Sequence, residues 1–297
     1  MASFKKSLIY LHIFVFLAGL TGPLGHLISL SGLHLVLYRM GLTSLVVLII
    51  KFFSKTHSIT WKQRIQLIGI GVLISIHWAC FFASIKLSNV SIALVCFSST
   101  GLFTVLLEPI FTKHSFSLID FLIGGLSLLG ILLIFHFDIK FREGIIVGLI
   151  SAFIAALFTV FNKKITANIK VPTIQSYQMT SGFIFLLVVS FVLQSFFNTP
   201  IPIPTKTDII WIVILALGCT VLANFLMLVS LRQISAFTLN ITLNLEPVYG
   251  ILIAFIFFGE HKEVGISFYA GIVLITGSVL LQMWRIFHPS VISKIPK

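Results

Sequence analysis

The sequence predicts an all-α membrane protein in which ten transmembrane helices form two inverted-topology repeats of five. Three observations carry this. Of 297 residues, 58% are hydrophobic and only 9% charged, with a mean hydropathy of +1.12, whereas a soluble globule carries about 25% charged residues. The apolar residues fall in continuous runs long enough to cross a hydrocarbon core of about 30 Å, which takes about 20 helical residues. They do not alternate every second residue, which excludes barrel strands. Finally, the chain repeats itself: Tyr38-Arg39-Met40 returns as Tyr177-Gln178-Met179, Leu87 to Ala93 as Leu231 to Phe237, and the pair Gly124 and Gly130 as Gly271 and Gly277. Offsets of 139, 144 and 147 drift only by small insertions, as tandem duplication requires. Five spans per copy is odd, so the second copy crosses the membrane in the opposite sense to the first.

The spans follow in order. Span one, residues 8 to 30, comes after Lys5 and Lys6; this pair could mimic a signal peptide, but nine spans follow and no small-residue cleavage site is evident. Ser29 to Gly32 is a short connection, so span two (33 to 53) is its antiparallel neighbour. The basic loop Ser54 to Arg64 leads to span three (65 to 85), and Lys86 to Asn89 leads to span four (90 to 112). Asn89 opens an Asn-Val-Ser triplet, discounted as a glycosylation site because it abuts the membrane. Span five (118 to 137) ends at the seam Asp138 to Glu143. Spans six (144 to 161), seven (173 to 197), eight (209 to 230), nine (235 to 258) and ten (264 to 286) complete the second copy. Its longer breaks are Asn162 to Val171 and Asn198 to Asp208, where Pro200, Pro202 and Pro204 exclude helix. The expected units are 1–138, 142–286 and a short, frayed cytoplasmic tail at 287–297.

The net charge of +12 is unevenly distributed. Fourteen of the twenty basic residues lie on the amino-terminal side, in the N-tail, 51 to 64, Lys113, 163 to 170, Arg232 and the C-tail. Five lie opposite (Lys86, Lys140, Arg142, Lys206, Lys262), and Arg39 lies within a span. The positive-inside rule puts both termini in the cytoplasm of a multi-pass cell-membrane protein. Anionic lipid, rather than nucleic acid, is the expected partner of this charge. Cys80, Cys96 and Cys219 fall inside spans without CxxC or Cys/His spacing, so they read as small core residues. Neither a metal nor a cofactor is implied. Gly144 and Gly148, and the glycines of spans five and ten, suit close helix approach within the chain, with a homodimer interface as the alternative.

With these features in place, the chain resembles the drug/metabolite transporter superfamily, specifically its EamA-type members. The resemblance rests on His77-Trp78 followed by Phe81-Phe82, the stretch Ser84 to Ser91, Leu245-Glu246-Pro247-Val248, Gly259-Glu260 closing span nine, and Gly271 with Gly277. It implies movement of small organic solutes, often amino acids or other metabolites outward, through a central cavity between the halves, with no covalent chemistry. Two other classes stay in view. A membrane-embedded enzyme would turn over a lipid or peptide without net transport, but HExxH, GxSxG, a Walker lysine loop and a polar His/Asp cluster are all lacking. A passive channel or lipid scramblase would give flux that does not saturate.

The residues that could carry transport are few. Glu246 lies near mid-membrane, where insertion scales put an ionised group at roughly 2.5–3.5 kcal/mol. A carboxyl there faces a wet cavity or bonds a neighbouring helix as a protonated structural group. Thr238, Thr242, Glu246, Tyr249 and Gly250 follow helical steps as one polar stripe, and Asn240 and Asn244 form a second. Pro247 removes a backbone donor beside the carboxyl. Glu108 resembles a twin of Glu246, but lies five residues before Lys113, near enough to the span end to reach water; the register instead matches Leu102 to Glu246. Ser98, Ser99 and Thr100 form the polar group of mid-span four, lining a cavity or bonding between helices. Arg39 either snorkels outward or pairs with Glu246 or a substrate carboxylate. His77 and Trp78 suggest an aromatic cavity wall, the histidine being a packing group or a proton carrier. Asn224 in span eight is similarly open.

Overall fold

The computed structural model describes residues 2–54, 59–112, 116–137, 139–166 and 169–287. The expected frayed tail, apart from Phe287, lies outside them, as do Asp138 of the seam and residues 55–58 of the basic loop. The regular elements among the described residues are all helical, with no strand among them. In the first half run α1 (Ala2–Gly19), α2 (Thr21–His26), α3 (Gly32–Phe53), α4 (Trp61–Leu87), α5 (Val90–Phe97), α6 (Thr100–Phe111) and α7 (Leu118–Phe137). In the second run α8 (Arg142–Thr166), α9 (Val171–Phe197), α10 (Lys206–Ala216), α11 (Ala223–Leu231), α12 (Ala236–Thr242), α13 (Glu246–Ile253) and α14 (Ile266–Phe287). Seven helical stretches among the described residues are long and apolar enough to cross a membrane, and Leu118–Leu133, Glu246–Phe258 and Ile266–Ser278 are shorter apolar helices.

Local chemistry sets the boundaries. Thr60 with Gln63, and Thr205 with Asp208, form reciprocal capping boxes at the starts of α4 and α10. Asn89 is buried and accepts from the Ile92 amide at 2.9 Å, so the residue of the discounted triplet is a helix cap. α9 ends where Asn198 turns left-handed (φ 51°), ahead of the three prolines. Gly259, at φ 69°, ends the ninth apolar stretch.

Packing relates the halves by exchange. α3 lies on α9, α7 on α14, and the α5–α6 rod on α12 and α13; the pair α4 with α8 has its counterpart in α11 with α1. Glycines permit this. A Cβ on Gly130 would stand 2.6 Å from the Gly271 carbonyl, and one on Gly148 2.8 Å from Cys96 Cβ, so both serve contacts inside the chain.

Candidate functional site: a cavity between the halves

Two of the central rods are interrupted at equivalent places. The first breaks at Ser98 and Ser99, between α5 and α6; the second passes through a 3₁₀ turn at Leu243–Leu245 before α13 starts at Glu246. Under the 144-residue offset Ser99 corresponds to Leu243. Interrupted helices at matching positions of two repeats mark the binding region in many transporters, because broken backbone is tolerated only against protein or a wet cavity. Beside them, Leu217–Leu222 winds as a π-helix between α10 and α11, a distortion frequent at functional sites.

These features border a cavity lined by Arg39, His77, Trp78, Asn224 and Glu246, with an aromatic wall that includes Phe14, Phe81, Phe97 and Phe158. Its volume is about 70 Å³, against roughly 300–1,000 Å³ for ligand-filled pockets. It is room for water, not for an organic solute.

Arg39 corrects the snorkelling alternative. Only 1% of it is exposed. Nε donates to Thr220 Oγ1 at 2.6 Å and Nη2 to the Cys219 carbonyl at 3.0 Å, both groups supplied by the π-helical turn. The guanidinium lies over the Trp78 ring at 4.2 Å, a contact worth about 2 kcal/mol when desolvated. Nη1 has no hydrogen-bond partner among the described residues. Leaving a buried donor unmet costs about 1–3 kcal/mol, more for a charged group. Glu246 is also buried, within electrostatic reach of Arg39, and no described residue hydrogen-bonds its carboxyl. The cavity thus holds one cation and one acid, each with unused bonding capacity.

His77 is held by Ser151. Nδ1 lies 3.0 Å from the Ser151 carbonyl and 2.8 Å from its hydroxyl, which itself donates to the His77 carbonyl at 2.9 Å. A carbonyl can only accept, so Nδ1 carries a proton and Nε2 is the acceptor of the neutral ring. The ring stacks on Phe97 at 5.4 Å.

The remaining sequence candidates lie elsewhere. Ser98 and Ser99 donate to the Val95 and Cys96 carbonyls of their own rod, at 2.5 and 2.8 Å. Local back-bonding of this kind satisfies the hydroxyl without cavity or second helix. Thr242 likewise donates to the Thr238 carbonyl at 2.7 Å, and Tyr249 packs edge-on against Phe16 at 5.6 Å. The Asn240 and Asn244 side chains are outside the described residues. Glu108 does not reach water: it is buried where α6 packs on α8, within electrostatic reach of Lys163.

Polar ties between halves close both ends. At the less basic end Glu260 accepts from the Val90 and Ser91 amides and the Ser91 hydroxyl at 2.6–3.0 Å, an acid on the α5 N-terminus. There too Asp208 accepts from the Ser29 amide and hydroxyl at 2.7 and 2.8 Å, and Tyr38 donates to the Pro202 carbonyl at 2.8 Å. At the basic end Ser230 donates to the Ser7 carbonyl at 3.0 Å. Sequence reasoning missed Thr220, Ser151, Asp208 and the capping role of Glu260. Only Asp208 carried a signal, the Thr-x-x-Asp pattern.

Comparison with known proteins agrees with this architecture. No curated protein sequence matches the chain. A solved crystal structure superposes with a TM-score of 0.69 over 93% of this chain and 96% of the other, at 12% identity, a likeness of fold. The model of the EamA-like transporter family matches residues 5–136 and again residues 142–284. Since the two matches take in nearly all of both halves, the chain belongs to the EamA-like transporter family, of the drug/metabolite type.

Proposed function

We propose that this protein is a ten-span, inverted-repeat secondary transporter that moves a small zwitterionic metabolite, an amino acid or a related solute, outward by alternating access. One observation carries the reading: Arg39 and Glu246 line the same cavity, and neither Arg39 Nη1, which is buried, nor the Glu246 carboxyl has a hydrogen-bond partner among the described residues. A carboxylate would satisfy the guanidinium and an ammonium the acid, each by a charge-assisted bond. The 70 Å³ volume supports alternating access, since loading requires the halves to part at one end. The outward direction rests on what members of the family commonly do.

Counterflow in proteoliposomes tests the substrate class. Preloaded amino acid is expected to drive saturable exchange of labelled amino acid, while nucleosides and cationic drugs drive none. Exchange driven by nucleosides or cations but not by any zwitterion would overturn the substrate class; flux without saturation or counterflow would make the protein a channel.

The charge asymmetry supports a plasma-membrane orientation with both termini and the loop Ser54 to Arg64 in the cytoplasm. Reporter fusions after Lys297 and within that loop are expected to report the cytoplasm. External reporting from both would invert every cavity mouth.

A further inference from the structure

A second site is built into the outer wall of the bundle, away from the central cavity. At the basic end, α3, α4 and α9 leave between them a groove of about 540 Å³. Its depth is apolar, formed by Leu48, Ile68, Val72, Ile184 and Phe185, and Leu48, Ile68 and Ile184 are 42–53% exposed on the lipid side. The serine and threonine hydroxyls on its wall are already occupied: Thr180 bonds Ser44 at 2.7 Å, Ser176 donates to the Thr173 carbonyl at 2.9 Å and Ser181 to the Ile68 carbonyl at 3.2 Å. None of these three asks for a polar guest.

Its mouth is different. Lys51, in the last turn of α3, holds its ammonium over the Tyr177 ring at 4.5 Å. Arg64, in the first turn of α4, shares a face with Ile68 and Val72 at four-residue steps, close enough to Lys51 for the like charges to interact. Arg64 Nε is buried without a hydrogen-bond partner among the described residues. All eight acidic residues of the chain lie at or beyond Glu108, and none falls on α3, α4 or α9. Two cations therefore lie within electrostatic reach of each other, with no carboxylate on the helices that form the groove. From Arg64 to Val72 is about 12 Å along the helix, most of one leaflet's hydrocarbon depth.

We propose that this groove binds an anionic phospholipid, with the phosphate between Lys51 and Arg64 and an acyl chain along Ile68 and Val72. The site is independent of the transport reading, because it can be assayed in detergent without orientation or flux. A neighbouring groove between α4 and α8, lined by Gln63, Gln66 and Lys164, has one cation and serves as the internal control.

The test is native mass spectrometry with thermal melting of the purified full-length chain in neutral detergent. The added probes are phosphatidylglycerol, phosphatidylcholine with the same acyl chains, and soluble glycerol phosphate. Phosphatidylglycerol is expected to stay bound and raise Tm, with each of Lys51→Gln and Arg64→Gln weakening retention about fivefold and the double glutamine variant carrying both changes losing the lipid. Lys164→Gln should leave retention unchanged. Val72→Trp keeps both cations while filling the groove, and should also lose the lipid, so the test survives if the double glutamine variant fails to fold. Equal retention of phosphatidylcholine, or an equal Tm gain from glycerol phosphate, would overturn the proposal. So would full retention by the folded double variant or by Val72→Trp.

Discussion

Replacing Arg39 by glutamine is expected to lower counterflow of the zwitterionic substrate by at least about thirtyfold while the protein still inserts in the membrane. Removing one partner of a buried, hydrogen-bonded charge pair costs about 2–5 kcal/mol, which is roughly 30- to 5,000-fold in binding. Glutamine can still donate to Thr220 Oγ1 or the Cys219 carbonyl, so the π-helical turn need not collapse. What it lacks is the third donor and the charge. Arg39→Lys supplies the control, since lysine keeps the charge but neither the planar fork nor the stacking surface over Trp78; intermediate flux is expected. Flux and KM should be measured at equal amounts of folded protein, with melting temperature as the check on packing. An Arg39→Gln variant with wild-type KM and flux would remove the guanidinium from the site and leave it a strut between α3 and the π-helical turn.

The sequence made both members of this pair conspicuous, because an ionisable residue inside an apolar run stands out by composition alone. Where their side chains go was a separate matter. Arg39 lies six residues from the end of its span, near enough to snorkel, and only the arrival of Trp78 from α4 and Cys219–Thr220 from the second half shuts that route. The π-helical turn that makes those contacts leaves no trace in hydrophobic periodicity, since its residues are as apolar as a regular span would need. Glu108 shows the reverse error. Distance along the chain put it near water, but α6 packs on α8 and buries it. The capping box at Thr205 and Asp208 was readable as local chemistry, whereas the bond from Ser29 to Asp208 joins residues 179 positions apart. Local signals thus gave the apolar helical runs and the repeat, but not the breaks within them; the closing contacts depend on which helices meet, and no single segment encodes that.

Glu246→Gln is expected to insert normally and to lose pH-dependent transport. Glutamine keeps the shape and hydrogen-bonding capacity of the carboxyl but cannot take up or release a proton. In the proposed cycle Glu246 is charged when it holds the substrate ammonium and must be neutral or repaired when the cavity is empty, because an unpaired carboxylate at mid-membrane is costly. Arg39 moderates that cost through its electrostatic reach but does not hydrogen-bond the acid, which leaves the carboxyl available for exchange of a proton against an ammonium group. The measurement is solute flux against an imposed pH gradient in vesicles holding equal amounts of each protein. Wild-type flux should change with the gradient, Glu246→Gln flux should be small and flat, and Glu108→Gln should show the smaller effect, since Glu108 is buried beside Lys163 rather than on the cavity wall. His77→Gln separates the two candidate proton carriers: if it flattens the pH dependence while Glu246→Gln does not, the proton travels through the imidazole held by Ser151. A Glu246→Gln variant that kept the wild-type rate and pH dependence would leave Glu246 as a structural carboxyl at the start of α13.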